Sequence, residues 1–205
     1  MTINPWKIIK SESLVKDKWL SLRADTCLTP QNETVDPYYV METVDWVNIV
    51  PLDFSGQMLI NQQYRHGNAT ISHEIPCGMI DASDKSPLKA ARRELLEETG
   101  YVSSGLIDIG KLYANPARQN TVIYNFLALD IQYRQPPEFD VNEHIESELI
   151  ALPEVMKLID LGQFNHALHI SSLFLAFNHL KLLKVNADIQ KYFSPDLTEK
   201  ISKLL

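Results

Sequence analysis

Apolar and polar side chains alternate in short runs between residues 6 and 50, which predicts a series of strands. Trp19-Leu20-Ser21-Leu22-Arg23-Ala24-Asp25 alternates large and polar positions, and Thr29-Pro30-Gln31-Asn32 supplies a turn before a strand around Tyr38–Met41. Two apolar runs, Trp46–Leu52 and Gln57–Gln62, flank Asp53-Phe54-Ser55-Gly56 and predict a hairpin. A further strand at Ser72–Ile75 stops at Pro76.

The periodicity then changes. Ser86-Pro87 pairs an N-cap residue with the proline favoured in the first helical turn, and Gly100 supplies a left-handed stop. Strands are expected around 107–112, 122–129 and 148–151, followed by helices over about 153–161 and 163–183. Residues 186–205 read as an amphipathic tail carrying Phe193, Leu197, Ile201 and Leu204. Strands alternating with a few helices, without repeats or a low-complexity linker, predict a layered α/β domain.

Composition narrows the function. The 205 residues are 45% hydrophobic and 22% charged, values typical of a folded soluble domain. The net charge of −7 gives no general electrostatic reason to bind nucleic acid, so no nucleic-acid partner is expected. An acidic protein still binds an anionic small molecule if metal ions or local arginines supply positive charge. Cys27 and Cys77 are too few for a disulfide framework and are expected to be reduced and structural. The N-terminus lacks a signal-peptide pattern, and no apolar run reaches the roughly 18 residues of a membrane span. A cytoplasmic enzyme fits these bounds.

The densest chemistry lies between Gly78 and Gly100. At about 100° per residue, Leu88, Ala91 and Leu95 share one helix face, and Glu94, Glu97 and Glu98 share another. Three neighbouring carboxylates repel unless a cation sits among them, and hard oxygen donors suit Mg²⁺. Arg93, four residues before Glu97, is placed to orient that carboxylate. Alone, the cluster fits a solvated acidic face as well as a metal site.

Gly78 through Arg93-Glu94-Leu95-Leu96-Glu97-Glu98-Thr99-Gly100 closely resembles the Nudix box, a loop–helix–loop signature. The second half is intact, but one extra residue separates Gly78 from Arg93, within Ala82–Lys85. The usual loop glutamate is thereby replaced by Asp84, or by Lys85 under a different gap placement. A loop absorbs such an insertion more easily than a helix, so the helix is expected to be unaffected. The resemblance implies an α+β fold, an α/β/α sandwich with a mixed β-sheet between helices, preceded by an N-terminal antiparallel β segment. It divides the chain into a β segment at 1–45 that participates in a homodimer, a hydrolase domain at 46–185 and the helical tail at 186–205. It implies Mg²⁺, with Mn²⁺ as a substitute, held by Glu94, Glu97, Glu98 and the carbonyl of Cys77. Arg93 would hold the acidic residues in place.

Outside the box, the chain is similar to the ADP-ribose pyrophosphatase branch. Gln63-Tyr64-Arg65 and Glu74-Ile75-Pro76-Cys77-Gly78 match its paired motifs, Pro116 in Asn115-Pro116-Ala117-Arg118 lies near its marker proline, and Asn142-Glu143-His144-Ile145-Glu146 resembles its acidic loop. The resemblance assigns Arg65, Glu74, Pro116 and Arg118 to substrate and makes Glu143 the first choice for general base, Glu146 the second. It implies hydrolysis of a nucleoside diphosphate linked to a second group, with ADP-ribose giving AMP and ribose 5-phosphate. GDP-mannose or another nucleotide sugar is the first alternative. A domain that senses ADP-ribose without cleaving it is the other.

Overall fold

The computed structural model describes residues 3–140 and 143–183. The expected tail at 186–205, and Asn142 of the acidic loop, lie outside the described residues. The chain divides into two compact units, residues 1–45 with 112–123, and residues 46–111 with 124–205.

The first unit contains a three-stranded antiparallel sheet in the order β1 (Lys7–Lys16), β2 (Ser21–Leu28), β3 (Thr34–Glu42). The expected turn lies between β2 and β3, where Thr29 and Glu33 close it by backbone hydrogen bonding. Residues 112–123 complete this unit: the Tyr38 hydroxyl donates to the Ala117 carbonyl at 2.5 Å, and the Arg118 guanidinium lies over the Tyr38 ring.

A four-stranded sheet has the order β7 (Cys77–Met79), β4 (Trp46–Pro51), β9 (Val122–Tyr133), β8 (Tyr101–Tyr113), and all of it but residues 112–113 and 122–123 belongs to the second unit. A second sheet has the order β10 (Ile145–Ala151), β5 (Gln57–Arg65), β6 (Thr70–Glu74). Three helices complete the unit: α1 (Pro87–Thr99), α2 (Leu152–Asp160) and α3 (Ala167–Leu183).

Strand alternation explains the layering. Along β4, Val47 and Ile49 face one core while Val50 and then Leu52 face another; along β9, Phe126 and Ala128 alternate with Leu127 and Leu129 in the same way. Buried strands with two apolar faces must be covered on both sides. Ala90, Ala91 and Leu95 of α1 close one face, and Val155 of α2 with Leu173, Ala176 and Leu180 of α3 close the other. This is the expected α+β sandwich. Leu88 departs from its expected face, since it sits in the first turn of α1 and is 37% exposed.

The hairpin expected at Asp53–Gly56 forms its turn, with Gly56 at φ 85°, but not its ladder. Only the Leu52–Met58 bridge joins the two runs, after which β4 and β5 enter different sheets. Each has a better neighbour: Leu52 exchanges backbone hydrogen bonds with Ala128 and Ile131, and Met58 pairs with Ile150. Among the described residues, no helix is long and apolar enough to cross a membrane.

Candidate active site

The helix that carries the acidic residues is fixed at both ends by its own sequence. The Ser86 hydroxyl accepts from the Lys89 backbone N–H, Pro87 occupies the first turn, and Gly100 takes φ 75° while its N–H donates to Leu96 O. The insertion therefore stays in the loop before the cap. At the far end, Arg134 N–H donates to Gly100 O at 2.8 Å, and Glu138 N–H donates to Glu97 O at 2.8 Å. The segment that leads to Glu143 is thus tied to the end of α1.

Helix α1 packs on β4 and β7. In the β4–β7 register, Val47 faces Gly78 and Asn48 faces Cys77, which places Gly78 directly under Glu94. A Cβ at Gly78 would overlap the Glu94 carboxylate, although nothing in the backbone conformation demands glycine. Gly78→Ala is therefore expected to displace the Glu94 carboxylate and, where Glu94 holds a divalent ion such as Mg²⁺, to weaken that ion's binding by about 10–100-fold. Isothermal titration with Mg²⁺ checks this, and unchanged affinity would remove Glu94 from the metal set.

Arg93 organises the cluster. Its Nη1 donates to Glu94 at 2.8 Å and to Glu97 at 2.9 Å, and its Nη2 donates to Asp84 at 2.8 Å and to Met79 O at 3.0 Å. Its Nε also reaches Asp84, at 3.3 Å. Of the two candidates for the loop acid, Asp84 is the one that meets Arg93, while Lys85 is exposed. Hydrogen bonding to Arg93 holds the Asp84 carboxyl below the usual carboxylate range.

Glu98 is 4% exposed and accepts from the Cys77 N–H at 3.1 Å and from Asn61 Nδ2 at 3.0 Å. Asn61 accepts in turn from the Ser147 hydroxyl at 2.7 Å. Burial, then the charge of Glu94, pushes the Glu98 carboxyl well above its ordinary value. Burial also raises Glu94, to about 7, against the pull of Arg93. A buried acid and a mostly buried one that resist ionisation, beside a half-buried third, call for a cation to hold them ionised. The hard oxygen donors and this unmet charge demand fit a divalent ion such as Mg²⁺.

These residues line a cleft of about 610 Å³ that also includes Gln63, Arg65, Cys77, Glu138, Asp140 and Glu143. The Glu143 carboxylate accepts from the Asp140 N–H at 3.2 Å, and its charge contributes to the raised values of Glu94 and Glu98. Glu146 does not line the cleft; it lies exposed on β10, opposite Gln62. Arg65 is held by fully buried Glu74 through Nε at 2.8 Å and Nη2 at 2.5 Å. Pro116 and Arg118 belong to the first unit. Asn61, Ser147, Glu138 and Asp140 escaped the sequence reading. Only Asn61, an amide at the end of an apolar strand, carried a readable signal.

Comparisons with known proteins identify the family and the fold. Residues 43–170 match the NUDIX domain, and residues 6–41 match the nucleoside diphosphate sugar hydrolase N-terminal domain. The ADP compounds hydrolase NudE of Escherichia coli (strain K12) is 30% identical over 135 residues, covering 66% of this chain and 71% of that protein. The ADP-ribose pyrophosphatase of Bacillus subtilis (strain 168) is 25% identical over 155 residues, covering 75% of this chain and 83% of that protein. A crystal structure of an ADP compounds hydrolase shares the fold, with a TM-score of 0.78 and 24% identity over 88% of this chain and 97% of that one. With the domain matched over more than half of its length and the Arg93–Gly100 half of the box intact on α1, the chain belongs to the Nudix hydrolase family.

Proposed function

We propose that this enzyme hydrolyses the pyrophosphate of a nucleoside diphosphate linked to a second group, with Mg²⁺ as cofactor and ADP-ribose as the leading substrate. The observation that carries the reading is the convergence of Glu94 and Glu97 on Arg93, in one cleft with Glu98, Arg65 and Glu143. The names of the Bacillus subtilis and Escherichia coli relatives support an ADP compound.

Glu94, Glu97, Glu98 and the Cys77 carbonyl would hold the metal. When bound, Mg²⁺ neutralises phosphate charge and makes phosphorus more electrophilic. Glu74 occupies Nε and Nη2 of Arg65, so it would act on substrate by aiming the guanidinium, with Nη1 left to donate to a phosphate oxygen. Glu143 takes the proton of the attacking water as the new phosphorus–oxygen bond forms. The bridging phosphorus–oxygen bond breaks, and ADP-ribose leaves as AMP and ribose 5-phosphate. Glu143→Gln is expected to slow turnover by about 10²–10⁴-fold with little change in metal affinity. If Glu146→Gln alone has that effect, the base is Glu146.

The substrate test is Mg²⁺-dependent hydrolysis of ADP-ribose, other ADP-sugars, GDP-mannose and a dinucleoside polyphosphate at matched concentrations. The highest kcat/KM for ADP-ribose supports the reading. A preference for GDP-mannose transfers it to the nucleotide sugars, and binding without turnover transfers it to a sensor. We further propose a homodimer formed through the first unit, where Ile8, Ile9, Leu14 and Val15 of β1 are exposed. Light scattering measures the mass directly, and a monomer at micromolar concentration would refute it.

A further inference from the structure

Beside the carboxylate cleft, Glu74, Cys77 and His169 meet in the interior. Cys77 lines that cleft, and Glu74 lines a second one of about 430 Å³ together with Asn165 and His166. A carboxylate oxygen, the thiol sulfur and an imidazole nitrogen lie within 4.8 Å of one another. All three residues are buried, at 0%, 4% and 1% exposure respectively. His169 Nδ1 has no hydrogen-bond partner and stands 3.9 Å from Glu74 Oε2. An orphaned nitrogen at such depth calls for an explanation. The His166 ring stacks on His169 with centroids 3.9 Å apart, which fixes the ring plane.

We propose that Glu74, Cys77 and His169 form a site for a soft divalent ion of the Zn²⁺ class, separate from the carboxylates of α1, and that the ion competes with Arg65 for Glu74. Thiolate, imidazole and carboxylate together favour zinc or cobalt and do not suit Mg²⁺. Tetrahedral zinc, with bonds of about 2.0–2.3 Å, spaces its ligands roughly 3.3–3.8 Å apart, close to the His169–Glu74 separation. On binding, the sulfur–hydrogen bond breaks heterolytically, the sulfur–metal bond forms, and one proton is released without redox change.

Arg65 is the competitor. Its Nη2 lies 2.5 Å from Glu74 Oε2 and 3.8 Å from Cys77 Sγ, while its Nε holds Glu74 Oε1 at 2.8 Å. An ion that takes Oε2 leaves the Nε contact in place but frees one arm of the fork. The guanidinium then loses its bidentate aim toward the carboxylate cleft. The second cleft, which Glu74 lines, is the route an ion would take to this site, and a solvent water would complete its coordination.

The test is Co²⁺ titration of the full chain in excess Mg²⁺, followed by absorption spectroscopy. A thiolate-to-cobalt charge-transfer band that saturates at one ion per chain is expected, whereas an oxygen-only site gives no such band. The band persists in Glu98→Gln and Cys27→Ser and is lost in Cys77→Ser. The half-saturating Co²⁺ concentration rises at least about tenfold in His169→Phe, which keeps the ring volume but removes a ligand, and falls in Arg65→Gln. Absence of the band, or its survival in Cys77→Ser, overturns the proposal. If thermal melting shows that Cys77→Ser does not fold, the His169→Phe shift decides. None of these readouts depends on turnover, so the site and the hydrolase reading stand or fall separately.

Discussion

Glu98→Gln is expected to lower Mg²⁺-dependent turnover by about 10²–10³-fold, the usual cost of removing one preorganised electrostatic contact, while making the metal-free protein more stable at neutral pH. The second half follows from linkage. Glu98 is buried, and its folded-state value is raised above the ordinary 4.5, so the native state binds more protons than the unfolded state. Its contribution to stability is therefore fully present below about 4.5 and is lost as pH rises through the raised folded value. Glutamine keeps an acceptor for Cys77 N–H and Asn61 but carries no charge to desolvate. The melting temperatures of variant and wild type should coincide near pH 4 and separate as pH rises toward 8, with the variant higher. Saturating Mg²⁺ should raise the wild type across that range and leave the variant unmoved, because only an intact site binds the folded state. Scanning fluorimetry with chelator or Mg²⁺, beside a turnover assay, checks both parts. Wild-type turnover would detach Glu98 from the metal, and a melting difference independent of pH would refute its raised folded-state value.

Arg93→Met is the second variant with a large expected effect. It leaves Asp84 and Glu94, with side chains 7% and 12% exposed, without their cation. Arg93 itself is 26% exposed, so solvent moderates the loss. About 1–3 kcal/mol of stability is expected to disappear, the range for leaving a buried polar group without its partner, and urea unfolding at neutral pH measures it. Mg²⁺ affinity should fall with it, because Glu94 and Glu97 lose the guanidinium that spaces them. Arg93→Lys separates charge from geometry. A single ammonium cannot bridge Asp84, Glu94 and Glu97 as the planar fork does, so lysine should recover part of the stability and little of the affinity. Full recovery of both would mean that only net charge matters at this position.

Much of the sandwich was legible because its strands obey a local rule. The near-continuous apolar runs of β4 and β9 call for cover on two faces, and Ser86, Pro87 and Gly100 mark the ends of α1 without tertiary help. Pairing partners were less legible. Asp53–Gly56 has the composition of a hairpin turn, yet β4 and β5 part because β9 and β10 offer each a longer ladder. The carboxylates of α1 were visible from helical spacing, since three positions on one helix share a face wherever that helix packs. Glu138 and Asp140 were not, because they reach the cleft only through the attachment of their segment to Glu97 and Gly100. Leu88 shows the limit of periodicity, since its place in the first turn puts it beyond the sheet that covers Ala91 and Leu95.

The amide of Asn61 has a consequence beyond satisfying a buried acid. It accepts from Ser147 and donates to Glu98, so one side chain joins β10 to the carboxylate on α1. Ser147 stands four residues after Glu143, on the strand that the acidic loop enters. The strand that the acidic loop enters and the helix that carries the carboxylates are thus joined through one neutral side chain, so a shift of β10 against α1 must break one of two hydrogen bonds.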